Sequence, residues 1–225
     1  MERLKPHFKI VIDLETSGSC PIKNGVISAC VLIINEFDVV VDEMVWYICP
    51  PDHTRYNWSE EAQGIHGMTF EQVSGFIPND QFCYELLCFL GKYKQYGPLE
   101  LICHASPNGW FDGKEWKIVK WFDYMFLEWC FRKAKFSNGS EMVWTMYKVL
   151  CPLKLISTVK MGRDAGYKGN KLNQWAERLN LNLDHHEVRS DTYVCFETYK
   201  YLKARNGTIK TDNKTGKKVS VGTLI

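Results

Sequence analysis

Apolar residues run almost without interruption from Phe8 to Leu14, the pattern of a strand covered on both faces. Two more apolar, β-branched runs follow, Gly25 to Asn35 and Asp38 to Cys49, with turn residues between them. Together the three predict an antiparallel meander. The period then changes. Segment 59–75 (SEEAQGIHGMTFEQVSG) predicts two short helical turns around Gly64 and Gly67. Asp80 to Tyr93 carries a helical stripe of Phe82, Leu86, Phe89 and Leu90, with Asp80 placed to cap it. Leu99 to His104 predicts a short buried strand, and residues 106–117 a loop or insertion bearing Gly, Pro and Trp. Trp121 to Lys133, Lys171 to Leu181 and Val188 to Lys203 predict helices, and Lys160 to Lys171 a Gly-bearing loop. From Asn206 the chain is polar and Lys-rich, and predicts a loose tail. Strands first, then helices mixed with strands, give an α/β or α+β domain around a mixed sheet.

The composition narrows the class of protein. Among 225 residues, 45% are hydrophobic and 24% charged, which excludes a mostly disordered chain. The net charge of +2 argues against a polycation but leaves room for a local basic patch. No apolar stretch reaches the roughly 18–20 residues of a membrane span, and the N-terminus has no signal-peptide core. The nine cysteines are scattered without a CxxC pair, which gives a zinc ribbon no support. Their odd number fits a reducing, cytoplasmic setting.

Three places put an acid where a core residue is expected. Asp13 and Glu15 lie two apart in a strand, on one face and about 7 Å from each other. Ionised together in a buried strand they repel, and desolvation adds to the cost. A divalent cation between them removes that cost; so does a strand end open to water. Asp123 heads a helical stripe of Phe126, Leu127, Cys130 and Ala134, a place that the helix dipole alone also favours. Asp191 lies within a stripe of Val188, Cys195, Tyr199 and Leu202. His186 and Asp191 would stand roughly 140° apart on one helix. They share a site only if His186 is on the loop before it, which Leu181-Asn182-Leu183-Asp184 permits. Four acids aimed into apolar faces, from one strand and two helices, are explained together as ligands of a two-metal site. Mg²⁺ and Mn²⁺ suit carboxylate and water oxygens, and a neutral His nearby could take a proton from an attacking water.

On these residues the sequence resembles the DEDDh (DnaQ-like) 3′–5′ exonuclease family. Ile12-Asp13-Leu14-Glu15-Thr16 matches its D-x-E-T strand, Phe122-Asp123 with Phe126-Leu127 its F-D-x-x-F-L helix start, and His186 to Asp191 its H-x-x-x-x-D. Gly64 to Thr69 resembles the family's I-H-G-I/M-T segment, and KLNQWAERLNL its L-x-x-L-A-x-x-L helix. The five occur in the family's order across about residues 7–203. The resemblance implies an RNase H-like α/β fold, a mixed central sheet flanked by helices. The domain would span 1–205, with a Trp-rich insertion at about 106–120 and a basic tail at 206–225. It implies that Asp13, Glu15, Asp123 and Asp191 hold two Mg²⁺ or Mn²⁺ ions and that His186 is the general base. Leu14, Thr16, Ile65 and His66 would contact the terminal nucleotide. The family's second motif usually reads H-N-x-x-F-D. Here Cys103-His104-Ala105 is followed by the insertion, whose Asn108-Gly109-Trp110-Phe111-Asp112 also fits, so Asp112 rivals Asp123 as the ligand.

The implied partner is the 3′ end of single-stranded DNA or RNA, for a stand-alone enzyme or one working with a polymerase or replication complex. Trp110, Trp116 and Trp121 among Lys114, Lys117 and Lys120 suit base stacking and phosphate contact, or a covered core with solvated lysines. Lys160, Arg163, Lys168 and Lys171 suit a phosphate-tracking stripe, and Lys210, Lys214, Lys217 and Lys218 suit non-specific affinity. The pair His185-His186 raises zinc, without a partner at ligand spacing. A nuclease-like binding module and a hydrolase of short oligonucleotides or dinucleotides remain the competing readings.

Overall fold

The computed structural model describes residues 6–104, 122–140, 142, 156–184 and 186–205 with side chains, and the backbone alone of 109–111, 116–118, 154–155, 206, 209–211 and 218–220. Three strands open the chain, β1 (Lys9–Thr16), β2 (Val26–Ile34) and β3 (Val40–Cys49), paired as an antiparallel meander as the hydrophobic pattern predicts. Two short helices follow, α1 (Glu60–His66) and α2 (Phe70–Ser74), then the two-residue strand β4 (Ile77–Pro78) and helix α3 (Asn79–Lys94). Strand β5 (Glu100–Cys103) pairs parallel with β1. After it come a two-stranded ribbon, β6 (Gly109–Phe111) with β7 (Trp116–Ile118), and helix α4 (Phe122–Lys133). Strand β8 (Lys154–Ser157), helices α5 (Thr158–Asp164), α6 (Leu172–Leu179) and α7 (Val188–Asn206), and a ribbon of β9 (Ile209–Thr211) and β10 (Lys218–Ser220) complete the chain. The main sheet has the order β4-β3-β2-β1-β5-β8, with β5 and β8 parallel: the mixed sheet flanked by helices that the resemblance implies.

Alternation along β1 feeds two cores. Ile10, Ile12 and Leu14 pack with Phe82 and Leu86 of α3 and Phe126 and Phe131 of α4. Val11 faces the other way, with Leu32 and Ile34 of β2, and packs with Val188, Cys195 and Tyr199 of α7. Every residue of β2 is buried. At about 1.5–3 kcal/mol for each large aliphatic side chain, these rows offset the cost of gathering acids at the end of β1. Tyr193 Oη donates to Glu43 Oε2 at 2.8 Å, and Arg189 pairs with the same carboxylate, pinning the first turns of α7 over β3.

Four local expectations are corrected. Asp80 is not a cap: α3 starts at Asn79 behind Pro78, so Asp80 falls within the first turn. Residues 106–117 are not wholly loop, since 109–111 and 116–118 pair as a ribbon. The segment from Lys160 starts inside α5, because Ser157 Oγ accepts from the Lys160 N–H at 2.9 Å and caps that helix. The tail carries the β9–β10 ribbon rather than being loose throughout. The described cysteines are free thiols, and no helix among the described residues is long and apolar enough to cross a membrane.

Candidate functional site

The site is built at the C-terminal end of β1. Asp13 and Glu15 continue the row of Val11, on the face that α7 covers. They pair with Cys30 and Ser28 of β2, and the register slips after Glu15, so that Thr16 meets Val26. Such a bulge re-aims the strand next to a site. The slip leaves Thr16 buried, its Oγ1 donating to the Gly18 carbonyl at 2.8 Å. Gly18 is needed where it stands: a Cβ there would lie 2.5 Å from the Asn24 side chain. Asn24 in turn donates to the Asn57 carbonyl at 2.6 Å, and the Ser59 N–H donates to the Ser17 carbonyl at 3.0 Å. These bonds dock the start of α1 against the end of β1.

Two helix first turns supply the other acids. Asp123 is 7% exposed in α4, heading Phe126, Leu127, Cys130 and Ala134, all buried as the stripe predicts. Although α4 packs on the opposite face of the sheet, Asp123 acts on Asp13 more strongly than any other charged group does. Asp191 is 4% exposed in α7, within the buried stripe of Val188, Cys195, Tyr199 and Leu202. His186 lies before the helix, in a turn with a left-handed backbone (φ +71°). Its backbone N–H donates to Asp191 Oδ2 at 3.1 Å. Glu187 caps α7, accepting from the Ser190 N–H at 2.7 Å and the Arg189 N–H at 3.2 Å. Thus His186 and Asp191 meet in the one way open to them, and ligand atoms of Glu15, His186 and Asp191 all fall within 4.8 Å of one another.

The charges are mutually unfavourable. Burial, then Asp123, Glu15 and Asp191 in turn, holds the Asp13 carboxyl well above the usual carboxylate range. Burial and the charges of Asp191 and Asp123 push Glu15 up to about 8, and burial pushes Asp123 up to about 7. Burial disfavours the charged form of each, and for Asp13 and Glu15 the neighbouring acids add to it. A divalent cation reverses that balance. The donor set of four carboxylates and one imidazole, with no thiolate among them, suits Mg²⁺ or Mn²⁺, so the residues fit the ions that the resemblance implies.

A cleft of about 300 Å³ opens beside the acids, lined by Leu14, Glu15, Thr16, Ile65, His66 and Phe122 among others. Ile65 is half exposed and offers an apolar wall. His66 is fixed by its neighbours: Nδ1 accepts from the Met68 N–H at 3.1 Å, and the ring meets Trp58 edge-on, with centroids 5.9 Å apart. Burial and the neighbouring His186 lower its pKa to about 4, so it stays neutral. The structure thus brings Asp13, Glu15, Asp123, Asp191 and His186 to one place, with Leu14, Thr16, Ile65 and His66 beside them. Phe122 and Ser28 also line cavities here: Phe122 belongs to the F-D-x-x-F-L match without an expected contact, and Ser28 stands in a strand run that marks no site residue.

His104 has a different role. One ring nitrogen, Nε2, donates to the Asn170 carbonyl at 2.8 Å, and Nδ1 accepts from Thr158 Oγ1 at 2.7 Å. It ties β5 to the start of α5 and to the loop before α6. The rival Asp112, Ala105, His185 and the side chains of the insertion and tail, Trp110, Trp116, Trp121, Lys114, Lys117, Lys120, Lys210, Lys214, Lys217 and Lys218, lie outside the described residues. Arg163, Lys168 and Lys171 are exposed, whereas Lys160 pairs with Asp164 at 2.5 Å.

No protein-family model and no curated protein matches the sequence. Solved structures do match. A structure of exonuclease I superposes with a TM-score of 0.67 at 13% identity, over 89% of this chain and 42% of that one. E. coli exonuclease I in complex with a dT13 oligonucleotide gives 0.66 at 13% identity, over 89% and 42%. A 3′-exonuclease in a structure of 3′-end specific recognition of the histone mRNA stem-loop gives 0.58 at 16% identity, over 96% of this chain and 91% of that one. The chain therefore spans less than half the length of exonuclease I and nearly all of the second enzyme. At these identities the likeness is one of fold, and the fold is that of the DnaQ-like exonucleases.

Proposed function

We propose that this chain is a metal-dependent 3′–5′ exonuclease of the DEDDh type, releasing nucleoside 5′-monophosphates, with residues 1–205 as its catalytic domain. The observation that carries the reading is the convergence of four carboxylates from β1, α4 and α7, of which Glu15 lines the cleft, with ligand atoms of Glu15, His186 and Asp191 within 4.8 Å of one another. Asp13, Glu15, Asp123 and Asp191 would hold two Mg²⁺ or Mn²⁺ ions. When bound, such ions neutralise the charge that develops on a phosphodiester during displacement. The chain supplies the rest. Leu14, Thr16, Ile65 and His66 shape the place for the terminal nucleoside, the strand through its backbone and Ile65 as a wedge. His186, held on its turn by Asp191, accepts a proton from the attacking water. The partner is a single-stranded DNA or RNA 3′ end, in keeping with the oligonucleotide and the stem-loop RNA bound by the similar proteins. A polymerase partner has no supporting observation.

The test is a gel with 5′-labelled single-stranded DNA and RNA in Mg²⁺, Mn²⁺ or EDTA, with Asp13→Ala in parallel. A metal-dependent ladder that shortens from the 3′ end and is absent in the variant is expected. Undiminished cleavage by Asp13→Ala overturns the reading. Metal binding with no cleavage of any substrate moves it to a nuclease-like binding module.

A further inference from the structure

Residues 158–179 contribute no acid to the centre, yet they lie at the same end of the sheet. Val11, Ile102 and Ile156 stand side by side in its parallel part, so β5 and β8 end beside the start of the acidic pair. Helix α5 leaves directly from β8. The loop 165–171 returns to the end of β5, where His104 donates to the Asn170 carbonyl. Its shape is braced from within. Arg178 donates from Nη1 to the Gly169 carbonyl and from Nη2 to the Lys168 carbonyl, each at 2.6 Å. Asn170 Nδ2 donates to the Tyr167 carbonyl at 2.9 Å, and the Tyr167 ring packs on Trp175 with centroids 4.9 Å apart. Gly169 has φ +70°, and a Cβ there would lie 2.7 Å from Gln174 Oε1, so only glycine fits. The lysines on either side of it are therefore presented on a fixed backbone, and little ordering cost is left for a ligand.

The charge of this segment is uneven. It holds five bases and two acids, in a chain with 28 bases and 26 acids. Lys160 is taken by Asp164. Arg163, Lys168 and Lys171 are exposed and have no ion pair among the described residues, and the Arg178 guanidinium faces two carbonyls rather than an acid. A nucleic-acid strand approaching four carboxylates is repelled by them. A cluster of unpaired cations within about a Debye length, roughly 8–10 Å, offsets that repulsion. With strands about 4.8 Å apart, β5 and β8 stand about 5 and 10 Å from β1, and the His104 side chain holds the loop off the end of β5. At about 3.4 Å per stacked nucleotide, the exposed cations fall against phosphates about two to four nucleotides from the scissile one. A dinucleotide has no such phosphates.

We propose that Arg163, Lys168 and Lys171 form a surface for the phosphates of the strand several nucleotides upstream of the scissile bond, with Arg178 as its brace; this rests on the exonuclease reading and selects among its substrates. The chain then works on strands of several nucleotides in preference to dinucleotides, and its affinity grows with the number of upstream charges.

The test uses the full chain and fluorescein-labelled single-stranded DNA in Ca²⁺, read by anisotropy, with cleavage followed separately in Mg²⁺. A strand of about 15 nucleotides, within the usual site sizes of single-strand binders, is compared with a dinucleotide and with the same strand carrying neutral methylphosphonate linkages at every phosphate but the scissile one. Lys168→Gln combined with Lys171→Gln removes two exposed charges and leaves the braces of the loop in place. It should weaken the charged strand about ten-fold at low salt and make the salt slope of its affinity shallower by about 1.4, the share of two phosphate contacts. The neutral-linkage strand should bind weakly from the start and lose almost nothing more, and dinucleotide cleavage should be unchanged. Lys92→Gln, an exposed charge on α3 at the other face of the sheet, should alter none of these. An unchanged salt slope, equal losses on the charged and neutral-linkage strands, or a matching loss in Lys92→Gln overturns the surface. Polyglutamate that binds through the same lysines as tightly as the strand makes it a dock for an acidic protein and overturns it too. Cleavage of the long strand that is indifferent to these lysines overturns the surface while leaving the exonuclease reading intact. Lysine-dependent binding without cleavage keeps the surface and overturns the reaction. Absence of binding by every strand overturns both.

Discussion

The backbone N–H of His186 donates to Oδ2 of Asp191 at 3.1 Å, so a buried acid of α7 holds the turn that presents the histidine. Charge and hydrogen bonding at Asp191 can be separated. Asp191→Asn keeps an oxygen acceptor and removes one charge from a crowded cluster. Cleavage should be lost, while the thermal midpoint in EDTA stays level or rises. Asp191→Ala loses the acceptor as well and should be about 1–2 kcal/mol less stable than Asp191→Asn, the worth of one bond to the turn. Urea melts of the two variants in EDTA check this; equal stability would mean that Asp191 does not hold the turn.

The backbone of His186 provides a second separation. At φ +71° a side chain costs about 1–2 kcal/mol that glycine does not incur. His186→Gly should therefore fold at least as well as His186→Ala, although glycine is the more flexible residue when unfolded. Both should lose about 10²–10⁴-fold in turnover, the usual worth of a general base. A His186→Gly variant that keeps more than about a tenth of wild-type kcat would remove His186 from that role.

The legibility of the molecule follows from which contacts are local. The strand alternation that put Asp13 and Glu15 on one face, and the 3.6-residue stripes that put Asp123 and Asp191 among buried apolar residues, are periodic patterns and were readable. So was the need for His186 to precede α7. The start of α3 was misread because Asp80 has the chemistry of a cap, while Pro78 sets the boundary two residues earlier. Strand β8 and helix α5 were missed because their stability is tertiary: β8 is a four-residue strand beside β5, and α5 is one short helix capped by Ser157. Ser28 had no signal at all. Its place beside His186 and Tyr47 comes from its register opposite Glu15 and Tyr47, which no single strand contains.

His104 stands where the resemblance puts the histidine of the second motif, and both of its ring nitrogens are spent on Thr158 and Asn170. Removing two buried bonds, His104→Ala should lose about 2–3 kcal/mol of stability. The loosening should concentrate at α5 and the loop before α6, and amide exchange should accelerate there first. Mg²⁺ binding at the acids should persist, because His104 is not one of their ligands. A variant as stable as the wild type but unable to bind Mg²⁺ would place His104 in the metal site instead.

Stability against pH tests the acidic cluster without any substrate. Glu15 is pushed up to about 8 and Asp123 to about 7 in the folded chain. Unfolded, both titrate near pH 4, in the ordinary range of about 3.9–4.3. Between those limits the unfolded chain has released its protons and the folded chain has not, so stability falls as pH rises, most fully by about pH 8. Two histidines oppose this at lower pH. His66 and His104 are held down to about 4 by burial, and against an unfolded value of about 6.5 they add stability as pH rises toward 6.5 and nothing beyond. The depressed carboxyls of Asp38 and Glu43, each bonded to basic side chains, lose their contribution only in more acid solution. Among these groups, the interval from about pH 6.5 to 8 therefore isolates Glu15 and Asp123. In EDTA the thermal midpoint should fall across it, and Mg²⁺ should restore it, with the larger gain at the higher pH, where more of the acids are ionised to receive it. Glu15→Gln should flatten the fall and weaken the Mg²⁺ effect together. A midpoint in EDTA that stays level from pH 6.5 to 8, and is unmoved by Mg²⁺, would mean that these acids do not form one cation site.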